Sequence, residues 1–116
     1  LLIYGNPDVL NPDVIKSGGL TEMKKIAAIA QAYGKPIMCH NTRPTVSTAA
    51  TLHFAASISN AGKFIEYVDI TSTRYKPVAE LMKTKIKFED GFLYVPEGVG
   101  FGIEMDEERL RREAIK

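Results

Sequence analysis

Three ionisable residues recur at a nearly constant interval: Asp13, His40 and Glu66, 27 and 26 residues apart. Each ends or sits within a short apolar stretch: "VLNPD", "PIMCH" and "FIEYVDI". These residue types can do proton chemistry together. A carboxylate on one imidazole nitrogen fixes the tautomer and favours the imidazolium. The other nitrogen is then free to take a proton from a substrate, and a facing glutamate can donate or accept one. Plainer readings stand beside this one. An Asp after Pro is a common turn former, and a His at a strand end is often a hydrogen-bonded structural group. The residues alone leave that choice open. Arg43, three positions past His40, is either an anion-binding group or a solvated arginine. His53, set among alanines, reads as a packed or partly exposed histidine.

Such a site needs elements that bring all three residues to one rim. Residues 1–3 read as the last turn of a helix stopped by Gly5. Residues 9–13 read as a short strand. After Gly18-Gly19, Thr21 is a plausible N-cap. Met23, Ile26, Ala27, Ala30 and Tyr33 then follow at helical spacing. Gly34 ends that helix. "PIMCH" is continuously apolar, as suits a strand buried on both faces. The stretch 46–59 is an alanine-rich helix terminated by Asn60 and Gly62, and "KFIEYVDI" is a third strand. The order is helix end, strand, helix, strand, helix, strand, the rhythm of parallel βαβ units. In such folds ligands sit at the carboxyl ends of the strands, where Asp13, His40 and Glu66 fall. Beyond Thr71 the rhythm stops. "STRYKPVAELMKTK" is irregular with one short helix, "IKFEDGFLYV" reads as a hairpin turning at Asp90-Gly91, and "DEERLRRE" as a solvated helix.

Composition narrows the function classes. The 116 residues make about one domain, 45% hydrophobic and 25% charged, and a net charge of +1 gives no reason to expect nucleic acid or an anionic membrane as partner. No apolar run approaches the ~18 residues of a membrane span. The single cysteine, Cys39, reads as an inert buried hydrophobe. One cysteine suits a reducing, cytoplasmic setting. No CxxC, HExxH or GxSxG pattern is present, and "GVGFG" lacks the lysine-serine pair of a phosphate loop. The first residues, "LLIYGN", lack a methionine, which suggests processing or a fragment.

Taken together, "NPDVIKSGGLTEMKKIAAIAQAYGKPIMCHN", "AATLHFAASISN", "FIEYVD" and "GFLYVPEGVGFGIEMDEE" resemble the C-terminal barrel region of the enolase superfamily, and more narrowly its mandelate racemase subgroup. The resemblance runs in register over nearly the whole chain. In the muconate-lactonizing subgroup a lysine stands five residues before the double glycine; here that position holds Asp13. The resemblance implies that Asp13 pairs with His40 on the next strand and that Glu66 is the acid of the last. Lys16 is then not the base. It further implies an α/β fold, the C-terminal portion of a (β/α)7β TIM-like barrel. Strands 6 to 8 would lie within 1–85. The hairpin, Gly-rich tail and charged helix of 86–116 would return to a capping domain absent from this chain. "EGVGFG" departs from the family's usual tail, which bears on docking and not on chemistry.

The function implied is metal-assisted removal of the proton alpha to a carboxylate, as in dehydration of an acid sugar. Racemisation or epimerisation on the same scaffold is one alternative, and a non-catalytic binding scaffold another. Mg2+ is the implied cofactor, with ligands on upstream strands. The implied partner is a small-molecule carboxylate, with Arg43 as a possible contact. The full-length form is expected to be a homo-oligomeric enzyme. The fragment alone is expected to be inactive and, with two open sheet edges, to self-associate.

Overall fold

A computed structural model describes residues 1–68 and 74–114. Five helices are present among the described residues: α1 (Leu2–Gly5), α2 (Leu20–Ala32), α3 (Val46–Ala56), α4 (Lys76–Ala79) and α5 (Glu107–Ala114). A two-stranded antiparallel hairpin pairs β1 (Phe88–Glu89) with β2 (Phe92–Leu93).

Three extended segments lie side by side, one before α2, one between α2 and α3, and one after α3. The first donates from Leu10 to the Pro36 carbonyl (3.0 Å) and accepts from Met38 at the Leu10 carbonyl (2.9 Å). His40 N–H reaches the Pro12 carbonyl at 3.0 Å. The parallel pairs are Leu10 with Ile37, Asp13 with His40, and Ile37 with Ala61. The second segment is therefore central, and the parallel order read from the sequence holds. The strands are shorter than expected. Pro12 and Pro36 have no N–H to give, and each pairing is a single bridge. The predicted third strand is displaced: it meets its neighbour at Ala61, through Ile37 N to the Asn60 carbonyl (2.8 Å) and Gly62 N to the Ile37 carbonyl (2.7 Å). Residues 64–68 run on without ladder pairing. Its last two predicted positions, Asp69 and Ile70, and the beginning of the irregular stretch at 71–73 lie outside the described residues.

Helix α2 forms over residues of good helical propensity and buries Met23, Ala27 and Ala30, a stripe of period about 3.6. Tyr33, expected on that stripe, is exposed as the C-cap. The helix begins earlier than Thr21 suggests. Gly19, at φ 85°, is the N-cap, a conformation open to glycine at little cost. Its end is a Schellman turn: Lys35 N–H donates to Ala30 O (2.8 Å), and Gly34 N–H to Gln31 O (2.9 Å), with Gly34 at φ 65°.

Helix α3 is capped by the Thr45 hydroxyl, which accepts from Ser47 N–H. It ends at Ala56 rather than 59, where Ser57 is the C-cap and its carbonyl takes the Lys24 ammonium at 2.9 Å. Asn60 instead ties two carbonyls, of Ala27 and Lys35, both at 3.1 Å. Small side chains let α3 sink deep: Ser47, Thr48, Ala49, Ala50, Thr51, Leu52 and Phe54 are all buried. Val14, Met23, Ala27, Ala30, Ile37, Cys39, Ala50 and Phe54 form the core, which lies beneath the three extended segments. At the other end, the cap of α1 is Asn6 in the left-handed region (φ 36°), one residue past the expected Gly5.

In the C-terminal part, residues 81–84 and 104–106 fold against each other. Met82 pairs with Met105, Lys83 N–H reaches Glu104 O (2.9 Å), and Asp106 N–H reaches Leu81 O (2.7 Å). Asp90 (φ 51°) and Gly91 (φ 82°) make the hairpin turn where expected. None of the described helices is long and apolar enough to cross a membrane.

Candidate active site

The parallel pairing sets Asp13 directly beside His40. Asp13 is half-held by its own loop: Oδ1 accepts from the N–H groups of Ile15 (2.8 Å) and Lys16 (3.1 Å). That Asx turn aims the second oxygen, Oδ2, at the imidazole, where His40 Nδ1 donates across 2.7 Å. Burial pushes the Asp13 carboxyl up. The His40 bond, the Lys16 and Ile15 amides and the Lys16 ammonium outweigh it and hold the group below its ordinary 3.8. An ionised carboxylate can only accept, so Nδ1 carries the ring proton. In the neutral ring Nε2 is left with its lone pair.

Nε2 faces the Glu66 carboxylate, with Oε2 at 4.0 Å. That separation is too long for a hydrogen bond. His40 is 26% exposed and Glu66 43%, whereas Asp13 is 13% exposed. The groups that could touch a ligand are thus open, and the orienting group is not. Lys16 places its ammonium 3.7 Å from Asp13 Oδ2 but is 66% exposed, so its contribution is small and screened.

Glu66 has no ladder to hold it. Asn41 does so instead: its N–H donates to Glu66 Oε2 (3.1 Å) and its side-chain Nδ2 to the Glu66 carbonyl (3.2 Å). The sequence reading passed over Asn41. The signal available was a polar residue directly after a buried strand, with Thr48 seven residues on, in the first turn of α3, to pair with it. The Arg43 carbonyl takes bonds from Ser47 Oγ (3.0 Å) and Thr48 Oγ1 (2.9 Å). Its main chain is part of the α3 cap, while its side chain is exposed. His53 meets the Phe101 carbonyl at 3.3 Å and its ring at 5.7 Å, packed as expected. Cys39 is 2% exposed, its thiol pushed up to about 11 by burial and by the Asp13 charge. It is inert, as read.

Two cavities are lined by chain neighbours of the site, Pro12 and Tyr67 among them, but not by Asp13, His40 or Glu66 themselves. One of about 440 Å3 is lined by Pro44, Tyr67, Lys76, Glu80, Met82 and neighbours. Another, of about 560 Å3, is lined by Leu1, Ile3, Leu10, Ile29 and Tyr33 among others. Asp13, His40 and Glu66 instead form part of an open rim.

The profile of the family described as enolase C-terminal domain-like matches residues 1–109. The chain belongs to that family. Its relatives there carry out more than one reaction. It is 34% identical over 116 residues to L-rhamnonate dehydratase of Saccharopolyspora erythraea, covering 97% of this chain and 28% of that protein. It is 30% identical over 113 residues to muconate cycloisomerase 1 of Rhodococcus opacus, covering 92% and 28%. Among solved structures it superposes with a TM-score of 0.78 on a mandelate racemase/muconate lactonizing enzyme from Sulfitobacter, at 38% identity over 96% of this chain and 26% of that one. The chain spans between a quarter and a third of the length of these proteins. The architecture is thus an α/β TIM-barrel fragment of the enolase superfamily, whose members here are dehydratases, cycloisomerases and racemase-like proteins.

Proposed function

We propose that this chain supplies the proton-transfer groups of an enzyme that removes the hydrogen alpha to a substrate carboxylate, and that the reaction is dehydration of an acid sugar, an aldonate or aldarate. The observation that carries this reading is the 2.7 Å bond from His40 Nδ1 to Asp13, which leaves Nε2 as base on an open rim opposite Glu66. Kinship to dehydratases supports it, as does the aspartate at position 13, where the muconate-lactonizing subgroup has lysine.

In the forward step His40 Nε2 takes the α-proton, and the C–H electron pair passes into the carboxylate as an enediolate. The imidazolium formed is stabilised by the adjacent Asp13 anion. Glu66 acts here as the carboxylic acid, its O–H donating to an oxygen of the enediolate. The electron pair then expels the β-hydroxyl, which leaves as water with the proton His40 returns. The enol left behind becomes the keto acid. To Arg43, whose side chain is exposed, this reading assigns a distal anionic group of the substrate. Among the described residues no cluster of three or more His, Cys, Asp or Glu could hold a metal ion. The described residues do not make a magnesium site. The Mg2+ expected from the resemblance belongs to strands outside this chain, and the steps given to His40, Asp13 and Glu66 do not pass through it.

The same reading assigns the three extended segments to barrel strands 6 to 8 within 1–85. It assigns 86–116 to a tail that reaches a capping domain, in a full-length homo-oligomer. The isolated chain is then inactive. In the full-length enzyme, His40→Asn is expected to lower turnover by about 10²- to 10⁴-fold and to abolish solvent deuterium uptake at the α-carbon, with the circular dichroism unchanged. Wild-type turnover in that variant overturns the assignment. Deuterium appearing in unreacted substrate and its epimer, without loss of water, would make the enzyme a racemase.

A further inference from the structure

His40 and Asn41 are consecutive on the central extended segment, so their side chains leave it on opposite faces. The imidazole goes to the rim. The Asn41 side chain goes inward, where the residue is 3% exposed. There it meets Thr48, itself fully buried, with Nδ2 3.0 Å from Thr48 Oγ1. The Thr48 hydroxyl has one proton to give, and its shorter bond, 2.9 Å, is to the Arg43 carbonyl. It therefore accepts from Asn41. The second proton of the same amide goes to the Glu66 carbonyl at 3.2 Å. Reversing the amide would set two acceptors against each other there, so only one orientation of Asn41 fits. Its backbone N–H completes the hold at Glu66 Oε2, 3.1 Å away.

One residue thus grips both the main chain and the carboxylate of Glu66. It does so from the peptide that also carries His40. The gripped oxygen is the one 4.0 Å from His40 Nε2, which leaves Oε1 for substrate. Nothing else among the described residues ties 64–68 to the central segment by ladder bonds. Resting on the proton-transfer reading above, we propose that Asn41 is a positioning residue: it sets the Glu66 carboxylate against His40, with Thr48 fixing the amide. Its contribution to turnover passes through Glu66.

The test is a double-mutant cycle on the full-length enzyme, read as kcat for dehydration and as the rate of α-proton exchange in D2O. Asn41→Ala is expected to lower kcat by about ten- to a hundredfold, as an ångström-scale misplacement does, with KM within about twofold. In a Glu66→Gln background the same substitution is expected to add less than about twofold. An equal loss in both backgrounds overturns the proposal, because a merely structural defect would move both. If Asn41→Ala does not fold, Thr48→Val serves: a smaller loss that vanishes in the Glu66→Gln background supports the proposal, and one that persists there overturns it. Glu66→Gln at the wild-type rate would sink the reading on which the proposal rests. Reduced activity in Glu66→Gln with wild-type activity in Asn41→Ala would sink the Asn41 proposal alone.

Discussion

The two histidines mark two regions built on different terms. His40 lies where three extended segments cross a core of Val14, Met23, Ala27, Ile37, Cys39 and Phe54, and its ring meets a carboxylate. His53 lies where the tail meets α3, and its ring meets a backbone carbonyl and a phenyl ring. Either acceptor fixes the ring's tautomer and orientation, but only the carboxylate brings a charge to it. In the first region burial holds the backbone and side chains are free to do chemistry. In the tail no residue of α5 is buried, the hairpin strands have two residues each, and order comes from turns and glycines. The same residue type is held by a charged side chain in one place and by main chain and a phenyl ring in the other.

The sharpest way to break that contrast is Asp13→Asn. The Ile15 and Lys16 amides need an acceptor, so the new carboxamide must point its oxygen at them. Its NH2 then faces His40 Nδ1 and forces the ring proton onto Nε2, where a base must have none. Turnover of the full-length enzyme should fall about 10²- to 10⁴-fold, and nitrogen NMR should show the changed tautomer. Retention of the Nδ1–H form would refute the argument. Asp13 also ties stability to acidity. Its folded value lies below 3.8, so its stabilisation is complete above that pH and is lost as the pH falls through the lower folded value. Asp13→Asn should therefore flatten the acid limb of an unfolding titration below 3.8; an unchanged limb would show the pairing to be weak.

The tail offers a smaller effect of another kind. Gly102 sits at φ 65°, and a Cβ there would lie 2.6 Å from the Glu97 carbonyl oxygen. Gly102→Ala should destabilise the tail by about 1–3 kcal/mol and raise hydrogen exchange around Phe101, while the amide of His40 stays protected. Loss of protection at both places would show the regions to be one cooperative unit. Least of all is expected from Lys16→Ala: under about 1 kcal/mol and shrinking with salt, by denaturant titration at two ionic strengths.

Much of this was legible in the residues because two signals coincided. Asp13, His40 and Glu66 stand one βα unit apart, and each ends or lies within an apolar run, so the parallel order is readable from the spacing. The stops were readable where chemistry is local, at Gly34 and Asp90-Gly91. Other boundaries were not. Thr21 has the side chain of an N-cap, but the double glycine let the chain turn two residues sooner. "KFIEYVDI" has strand composition, yet its pairing falls at Ala61, before the run begins, because ladder contacts depend on the neighbour and not on propensity. Asn41 was missed for the same reason: a residue that works by joining two distant segments leaves no period in the chain.

Register between the first two extended segments rests on three backbone bonds, the dyad, and the Asn11 amide on the Met38 carbonyl at 2.6 Å. A slip by one position would set Asp13 against Cys39 or Asn41 and push a buried neighbour to the outside. The Asp13–His40 contact and burial of the interior therefore fail together, and a misthreaded molecule would lose both at once, exposed to removal by whatever recognises unburied apolar surface.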